Sequence, residues 1–212
     1  MIKNKIVKYY ARKDSNIALK VIPGHFVTNH SHLNYYLDMT TMKTRQNEAE
    51  RIAIAMKDYY NVMDKPIDTI VCLDGCEVIG AFLASELSRA GVLSTNAHKT
   101  IYVVTPEFNS NGQMIFRDNL KPEIYGKNVL LLLASATTGK TVRNSIEYYG
   151  GILQGISAIF SAVDSINGHR IDALFRADDI PNYEAFTHSD CPMCKEGKPV
   201  EALVNGYGYS EI

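Results

Sequence analysis

Residues 130–141, LLLLASATTGKT, are the stretch from which the fold of this chain is predicted. An apolar run ends in a loop of small residues, and the loop ends in Thr-Gly-Lys-Thr. This order is typical of a buried strand that leads into a helix through a phosphate-binding turn, because small residues let backbone N–H groups approach phosphate oxygens at the helix N-terminus. The residues that we expect to bind this phosphate are Ser135, Ala136, Thr137, Thr138, Gly139, Lys140 and Thr141.

The segments on either side of this stretch alternate between strand and helix patterns. Short apolar strands are predicted at 68–73, 101–104, 128–133 and 156–163, and helices at 44–60, 77–90 and 138–149. A hairpin or a mobile loop is predicted at 109–112, and a short helix at 2–12. Apolar strands separated by helices predict a doubly wound, mainly parallel α/β sheet that is covered on both faces.

The composition fits one domain with a sizeable core. The chain has 212 residues, 46% of them hydrophobic, and a formal net charge of −1. This balance provides no basic surplus for nucleic acid or an anionic membrane. No apolar run reaches the roughly 18–20 residues that cross a bilayer, and the first residues lack the apolar segment of a signal peptide. We therefore expect a soluble, cytoplasmic protein.

Several motifs in a fixed order resemble one family. Residues 129–141 with Arg143 resemble the phosphoribosyl-diphosphate loop of type I phosphoribosyltransferases. Residues 24–38, GHFVTNHSHLNYYLD, resemble the N-terminal hood of the orotate phosphoribosyltransferases in that family. Residues 68–87 resemble its strand, pyrophosphate-side loop and helix, with Asp74, Gly75 and Cys76 in the loop. The likeness covers most of residues 17–165.

This resemblance implies a fold, an activity and partners. The fold is a type I phosphoribosyltransferase sheet with a hood at 1–43, an α/β core at 44–178 and a C-terminal appendage at 179–212. The activity is transfer of a phosphoribosyl group from phosphoribosyl diphosphate to a nucleobase, orotate or another, as in pyrimidine biosynthesis. The enzyme of this kind is a glycosyltransferase that uses Mg²⁺ and forms a homodimer.

The sequence departs from the family at three places where chemistry occurs. Leu133 and Ala134 stand where the family has two acidic residues that hold the ribose hydroxyls. The segment 105–119 carries Arg117 as its only cation, where orotate enzymes have a lysine-rich loop. Asp164 is followed by Ser165 instead of the arginine that pairs with orotate. The phosphoribosyl-diphosphate motif is therefore degenerate, and the catalytic residues stay unassigned.

Several interpretations remain open. The chain is either an active transferase, in which Asp38, Asp74 or Glu77 replaces the missing acids, or a non-catalytic relative that binds or senses a phosphorylated metabolite. A third is a nucleotide triphosphatase, since Gly139-Lys140-Thr141 matches the end of a Walker A motif, but Ala134 stands where that motif needs glycine. A fourth is a plain strand–turn–helix junction capped by threonines.

The cysteines and histidines raise the question of a metal. His188, Cys191 and Cys194 have spacing that suits zinc, with a fourth ligand from Cys72, Cys76, a second subunit or water. The alternatives are free thiols in a turn or a redox pair.

Other histidines and cysteines have simpler interpretations. His25, His30 and His32 are either a metal pair or polar residues of the hood. Cys72 is expected in the core, and Cys76, at a helix start, is either an activated or a packed thiol.

Overall fold

The computed structural model describes residues 5–61, 65–89, 94–97, 99–110, 113–136, 149–166 and 168–212. Its strands are β1 (Val7–Tyr10), β2 (Ala18–Val27), β3 (His32–Asp38), β4 (Thr69–Cys72), β5 (Tyr102–Val104), β6 (Glu107–Phe108), β7 (Met114–Ile115), β8 (Asn128–Ala136), β9 (Ile152–Ser161), β10 (Ser165–Ile166), β11 (His169–Arg176), β12 (Ala185–Phe186), β13 (Ala202–Asn205) and β14 (Gly208–Glu211). Its helices are α1 (Thr40–Thr44), α2 (Gln46–Asn61), α3 (Glu77–Ser88) and α4 (Pro192–Lys195).

The core sheet has the strand order β10-β11-β9-β8-β4-β5, and every pairing except that of β10 is parallel. Strand β8 lies in its interior, and residues 129–133 are at most 1% exposed. Leu130 and Leu132 pack into the apolar cluster on one face, whereas Leu131 and Leu133 pack into the cluster on the other. The alternation explains why this strand is apolar throughout. The mainly parallel α/β sheet predicted from the sequence is confirmed.

Helix α2 covers one face of the core sheet with a stripe of buried side chains. Ala49, Ile52, Ala53 and Met56 are at most 1% exposed, at the helical spacing read from the sequence. The hydroxyl of the buried Tyr60 lies 2.7 Å from Ser157 Oγ on β9, so the polar end of this side chain has a partner. The helix begins at Gln46, because residues 40–44 form the separate helix α1.

The second sheet, here called the hood sheet, is built from both ends of the chain. Its order is β12-β3-β2-β13-β14, with β1 paired to β2. The helix predicted at 2–12 is wrong for the described residues, since residues 7–10 form β1. The C-terminal appendage expected at 179–212 belongs to this sheet, because β12, β13 and β14 extend it on both sides.

Several predictions from the sequence differ in extent from the observed elements. Strand β9 begins at Ile152, four residues before the predicted start, and β11 was not predicted, because its polar and charged residues mask the strand pattern. The hairpin predicted around residues 109–112 is formed by β6 and β7. The helix predicted at 138–149 falls almost wholly outside the described residues.

Among the described residues, no helix is long and apolar enough to cross a membrane.

Candidate functional site

The carboxyl ends of β4 and β8 form the candidate site. The chain leaves β4 through Asp74 and Gly75, whose φ angles are 55° and 79°, and enters α3 after Cys76. Glycine adopts this left-handed region freely, and aspartate is one of the few other residues that tolerate it. The tight turn keeps residues 74–76 at the sheet edge, where parallel α/β sheets bind their ligands.

The carboxylate of Asp74 faces β8. Strands β4 and β8 pair in parallel, and the backbone N–H of Leu73 donates to the carbonyl oxygen of Leu132 at 2.9 Å, so Asp74 lies beside Ala134, one of the two positions where the family has acids. Burial raises the pKa of Asp74, while the nearby Lys43 ammonium and the Ala134 amide oppose this rise. Leu133 and Ala134 are only 1% and 3% exposed and offer no side-chain ligand. Asp74 therefore provides a carboxylate beside Leu133 and Ala134, the positions where the family has acids and this chain has none.

Lys43 is a buried cation that the sequence analysis missed. Its side chain reaches from α1, is 6% exposed, and its ammonium lies 2.6 Å from the carbonyl oxygen of Asp74 and 2.5 Å from that of Gly206. Nothing in the sequence TTMKT marks this lysine, because its partners are 31 and 163 residues away along the chain. Its carbonyl partners hold the charge at the pyrophosphate-side loop.

The turn between β13 and β14 also reaches this loop. A Cβ atom placed on Gly206 would lie 2.5 Å from Asp74 Oδ1, so the turn approaches the carboxylate as closely as glycine permits. The neighbouring Tyr207 is 71% exposed; partial burial raises its pKa, with the negative charges of Asp74 and Glu77 as smaller causes. The C-terminal segment thus covers the candidate site, which its position in the sequence did not reveal.

The residues predicted to bind phosphate are only partly described. Ser135 and Ala136 close strand β8 in register with Phe160 and Ser161 of β9. The carbonyl oxygen of Ala136 accepts a hydrogen bond from the backbone N–H of Ala162 at 2.8 Å. Thr137, Thr138, Gly139, Lys140 and Thr141 lie outside the described residues.

Two charged groups near the strand ends already have partners. The guanidinium of Arg117 forms a bidentate ion pair with the carboxylate of Glu107, with Nε 2.9 Å from Oε1. Asp164, which follows β9, accepts a 2.8 Å hydrogen bond from Arg176 at the end of β11. An arginine therefore lies next to Asp164 in space, although Ser165 follows it in the sequence.

The two other cysteines are packed in the core. Cys72 is fully buried, as predicted. Cys76 is also fully buried, and burial raises the pKa of its thiol well above the ordinary value. Its thiol is therefore held neutral, which contradicts the activated-thiol interpretation.

A second group of polar residues gathers in the hood sheet. Ligand atoms of His25, His32, Cys191 and Cys194 all lie within 4.8 Å of one another. The predicted set of His188, Cys191 and Cys194 differs from this one. His188 contacts His32 from outside the group, with Nδ1 2.6 Å from His32 Nε2. His188 is not among these four residues. The fully buried Cys72 and Cys76 are not in this group either.

The comparisons with known proteins agree with this architecture. No protein-family model matches the chain. It is 25% identical over 188 residues to the orotate phosphoribosyltransferase of Thermus thermophilus, covering 86% of this chain and 93% of the relative. It is 27% identical over 191 residues to that of Caldicellulosiruptor bescii, covering 89% and 90%.

Solved structures share the fold at low sequence identity. A phosphoribosyltransferase from Corynebacterium diphtheriae matches with a TM-score of 0.52 and 13% identity, over 75% of this chain and 89% of that one. The orotate phosphoribosyltransferase of Mycobacterium tuberculosis in complex with Fe(III) dicitrate matches at 0.52 and 17%, over 77% and 92%. The adenine phosphoribosyltransferase of Trypanosoma brucei in complex with AMP, pyrophosphate and ribose-5-phosphate matches at 0.50 and 13%, over 90% and 82%.

These structures define the class: the chain has the fold of a type I phosphoribosyltransferase. Within that class, its sequence is similar to the orotate phosphoribosyltransferases over most of its length. The resemblance drawn from its motifs is confirmed.

Proposed function

We propose that this protein transfers a phosphoribosyl group from phosphoribosyl diphosphate to a nucleobase, orotate or another, in nucleotide metabolism. The observation that carries the proposal is the place of Asp74, which follows β4 and lies beside Ala134 of the parallel strand β8. This position puts one acidic group at the end of β8, where the family has two acidic residues and this chain has Leu133 and Ala134. The similarity to orotate phosphoribosyltransferases supports the reaction class.

In this proposal each part of the strand edge has a separate task. The backbone N–H groups and threonine hydroxyls of residues 135–141 hold the 5′-phosphate. Asp74 accepts a hydrogen bond from a ribose hydroxyl. A nitrogen of the base then attacks the anomeric carbon as the bond to the diphosphate oxygen breaks. Lys43, beside the pyrophosphate-side loop, is the cation best placed to stabilise the charge on the departing diphosphate.

The proposal treats Mg²⁺ as an ion carried by the diphosphate. A pair of carboxylates is the arrangement that the family uses to organise this ion, and Leu133 and Ala134 cannot supply it. Burial raises the pKa of Asp74, and the neighbouring carboxylate, Glu77, accepts a hydrogen bond from the Thr105 hydroxyl. The residues present therefore do not fit a protein-held magnesium site of that kind, and no step of the proposal depends on one.

The second candidate is a non-catalytic protein that binds or senses a phosphorylated metabolite. Two observations favour it. The Gly206 turn lies against Asp74 and Lys43, so substrate reaches these groups only if the turn moves. Arg117, the only cation of residues 105–119, is already paired with Glu107.

The triphosphatase interpretation gains no support from the position of Ala134. Strand β8 continues to Ala136, so the place of the first Walker A glycine lies inside a strand, where no tight turn occurs.

The decisive measurement is pyrophosphate release from phosphoribosyl diphosphate with Mg²⁺ across a panel of bases that includes orotate. We expect release with one base only, and none in a Thr138→Ala, Gly139→Ala variant. Asp74→Asn should lower the rate by about 10²–10³-fold, the effect typical of one lost electrostatic contact. Asp118→Asn is the matched control, because its side chain is 95% exposed and pairs with Lys121 away from the site.

The two candidates give different results. Release that is unchanged in Asp74→Asn would contradict the role of this carboxylate. If no base gives release but calorimetry detects binding of phosphoribosyl diphosphate or ribose-5-phosphate that the Thr138→Ala, Gly139→Ala variant lacks, the non-catalytic candidate replaces the first.

The cytoplasmic location and the homodimer remain part of the proposal. The support for a dimer is apolar surface on neighbouring elements: Val78 of α3 is 37% exposed and Tyr102 of β5 is 43% exposed. Light scattering on the purified chain tests the dimer, and a Val78→Glu, Tyr102→Glu variant should then be monomeric.

A further inference from the structure

The group of His25, His32, Cys191 and Cys194 lies outside the candidate site and combines two distant parts of the chain. His25 and His32 come from the adjacent strands β2 and β3, and Cys191 and Cys194 come from the start of α4. His25, His32 and Cys191 are at most 7% exposed. Four groups with free electron pairs have thus been brought together, three of them away from water.

Of the four short distances between ligand atoms, three match those of a tetrahedral zinc centre and one is shorter. His25 Nε2 lies 2.9 Å from His32 Nδ1, 3.6 Å from Cys191 Sγ and 3.7 Å from Cys194 Sγ. Cys194 Sγ lies 3.3 Å from His32 Nδ1. Zinc with its usual bond lengths separates tetrahedral nitrogen and sulfur ligands by about 3.3–3.8 Å. Small side-chain adjustments are enough to admit the ion.

The hydrogen bonds around the group orient both imidazole rings. His25 Nδ1 lies 3.0 Å from the carbonyl oxygen of Lys198, which only accepts, so Nδ1 carries the proton and Nε2 turns its lone pair to the centre. His32 binds His188 through Nε2, which leaves Nδ1 facing the centre. Outer-shell partners of this kind are typical of zinc-binding histidines.

We propose that His25, His32, Cys191 and Cys194 bind one structural Zn²⁺ ion. Two nitrogen and two sulfur ligands suit zinc, and four protein ligands leave no position open for a substrate. His188 is a positioning residue that orients His32. The site joins β2 and β3, near the start of the chain, to the connection between β12 and β13.

The ion also accounts for how the C-terminal segment is held. Residues 187–201 connect β12 to β13 and contain no strand, and β13 pairs with β2 at only Ala202 and Leu203. Zinc would attach this connection to β2 and β3, the strands that carry His25 and His32. The β13–β14 hairpin then carries Gly206 to Asp74 and Lys43.

The test measures metal in the full chain without a polyhistidine tag, by mass spectrometry after dialysis. We expect about one zinc ion per chain. Cobalt exchanged into the wild-type protein should show the visible bands of a tetrahedral ion and thiolate-to-metal charge transfer. Cobalt needs no mutation, so this arm remains valid if variants fail to fold.

Variants separate the ligands from their neighbours. A Cys191→Ser, Cys194→Ser double variant should lose the ion, while His30→Ala, an exposed histidine of the same hairpin, should keep it. His188→Ala should keep the stoichiometry at saturating zinc but bind about 10–100-fold more weakly.

Three results would overturn the site. Background zinc and no tetrahedral cobalt spectrum in the wild type would mean a metal-free chain of hydrogen bonds from His188 through His32 to His25. Zinc retained by the double cysteine variant would place the ion elsewhere. Stoichiometry lost in His188→Ala at saturating zinc would make His188 a ligand. None of these results depends on phosphoribosyltransferase activity.

Discussion

The core sheet and the hood sheet each have six strands, but they differ in the apolar packing that surrounds them. The core sheet is sandwiched between two large apolar clusters, to which β8 contributes side chains on both faces. The hood sheet contributes Leu19 and Val21 of β2 to one of these clusters and has one small cluster of its own, whose buried members are Ile22, Phe26, Leu33, Tyr36, Ala202 and Val204. Next to that cluster lies the group of two histidines and two cysteines.

Because of this difference, the core sheet provides most of the stability, whereas the hood sheet positions the turn that covers the candidate site. Burying each large apolar side chain of the core contributes about 1.5–3 kcal/mol, and many such residues act together. The hood joins segments more than 150 residues apart through few apolar contacts, so a small number of polar groups decides whether its C-terminal part stays in place. Because the Gly206 turn belongs to this part, access to Asp74 depends on the hood.

Removing the proposed metal should have the largest effect, because it should open the hood sheet and leave the core sheet intact. With zinc chelated, or in the Cys191→Ser, Cys194→Ser variant, protease cleavage within residues 187–201 should accelerate by roughly 100-fold, because local opening exposes a segment without strands. Core peptides should stay protected. The measurement is limited proteolysis with mass spectrometry, with His30→Ala as the control. Equal acceleration in the core would show that the two sheets open as one unit.

Filling the space at Gly206 should have the next largest effect. In Gly206→Ala the new Cβ meets Asp74 Oδ1, so the turn must shift at a cost of about 1–3 kcal/mol in the free energy of unfolding. Tyr207→Ala is the control, since this exposed side chain should change stability by less than about 0.5 kcal/mol. Denaturant unfolding measures both. An unchanged Gly206→Ala midpoint would show that the turn does not rest on Asp74.

A polar pair inside the core should respond more modestly. Tyr60→Phe removes the hydroxyl that lies 2.7 Å from Ser157 Oγ and leaves a buried serine without this partner. We expect a loss of about 1–2 kcal/mol in thermal or denaturant unfolding, with no change in cleavage at 187–201. Tyr10→Phe, on the exposed strand β1, should be neutral. Faster cleavage at 187–201 in Tyr60→Phe would contradict the separation of the two sheets.

The smallest effect is expected at Arg117. Both partners of its ion pair with Glu107 are exposed, and such surface pairs contribute little. Arg117→Gln should leave the unfolding midpoint within error of the wild type. Pyrophosphate release should also change little, because the guanidinium is already paired; a large fall in rate would instead give this cation the role that the lysine-rich loop has in orotate enzymes.

Local patterns were enough to predict the core. The apolar run at 130–133 and the helical stripe from Ala49 to Met56 report burial directly, since every residue of a central strand and one stripe of a packed helix must avoid water. Strand β11 was missed because its Arg170 and Asp172 interrupt the pattern. The C-terminal strands were missed because they are short and pair with partners far away in sequence.

The fold class, the family resemblance and the loss of acids at Leu133 and Ala134 could be read from the chain alone, because they depend on residue type and order. The folded molecule was needed to show that Asp74 faces Ala134, that Lys43 is buried between two carbonyl groups, and that His25 and His32 join Cys191 and Cys194. These arrangements depend on the pairing of strands from opposite ends of the chain, and no local pattern records which distant side chains such pairing brings together.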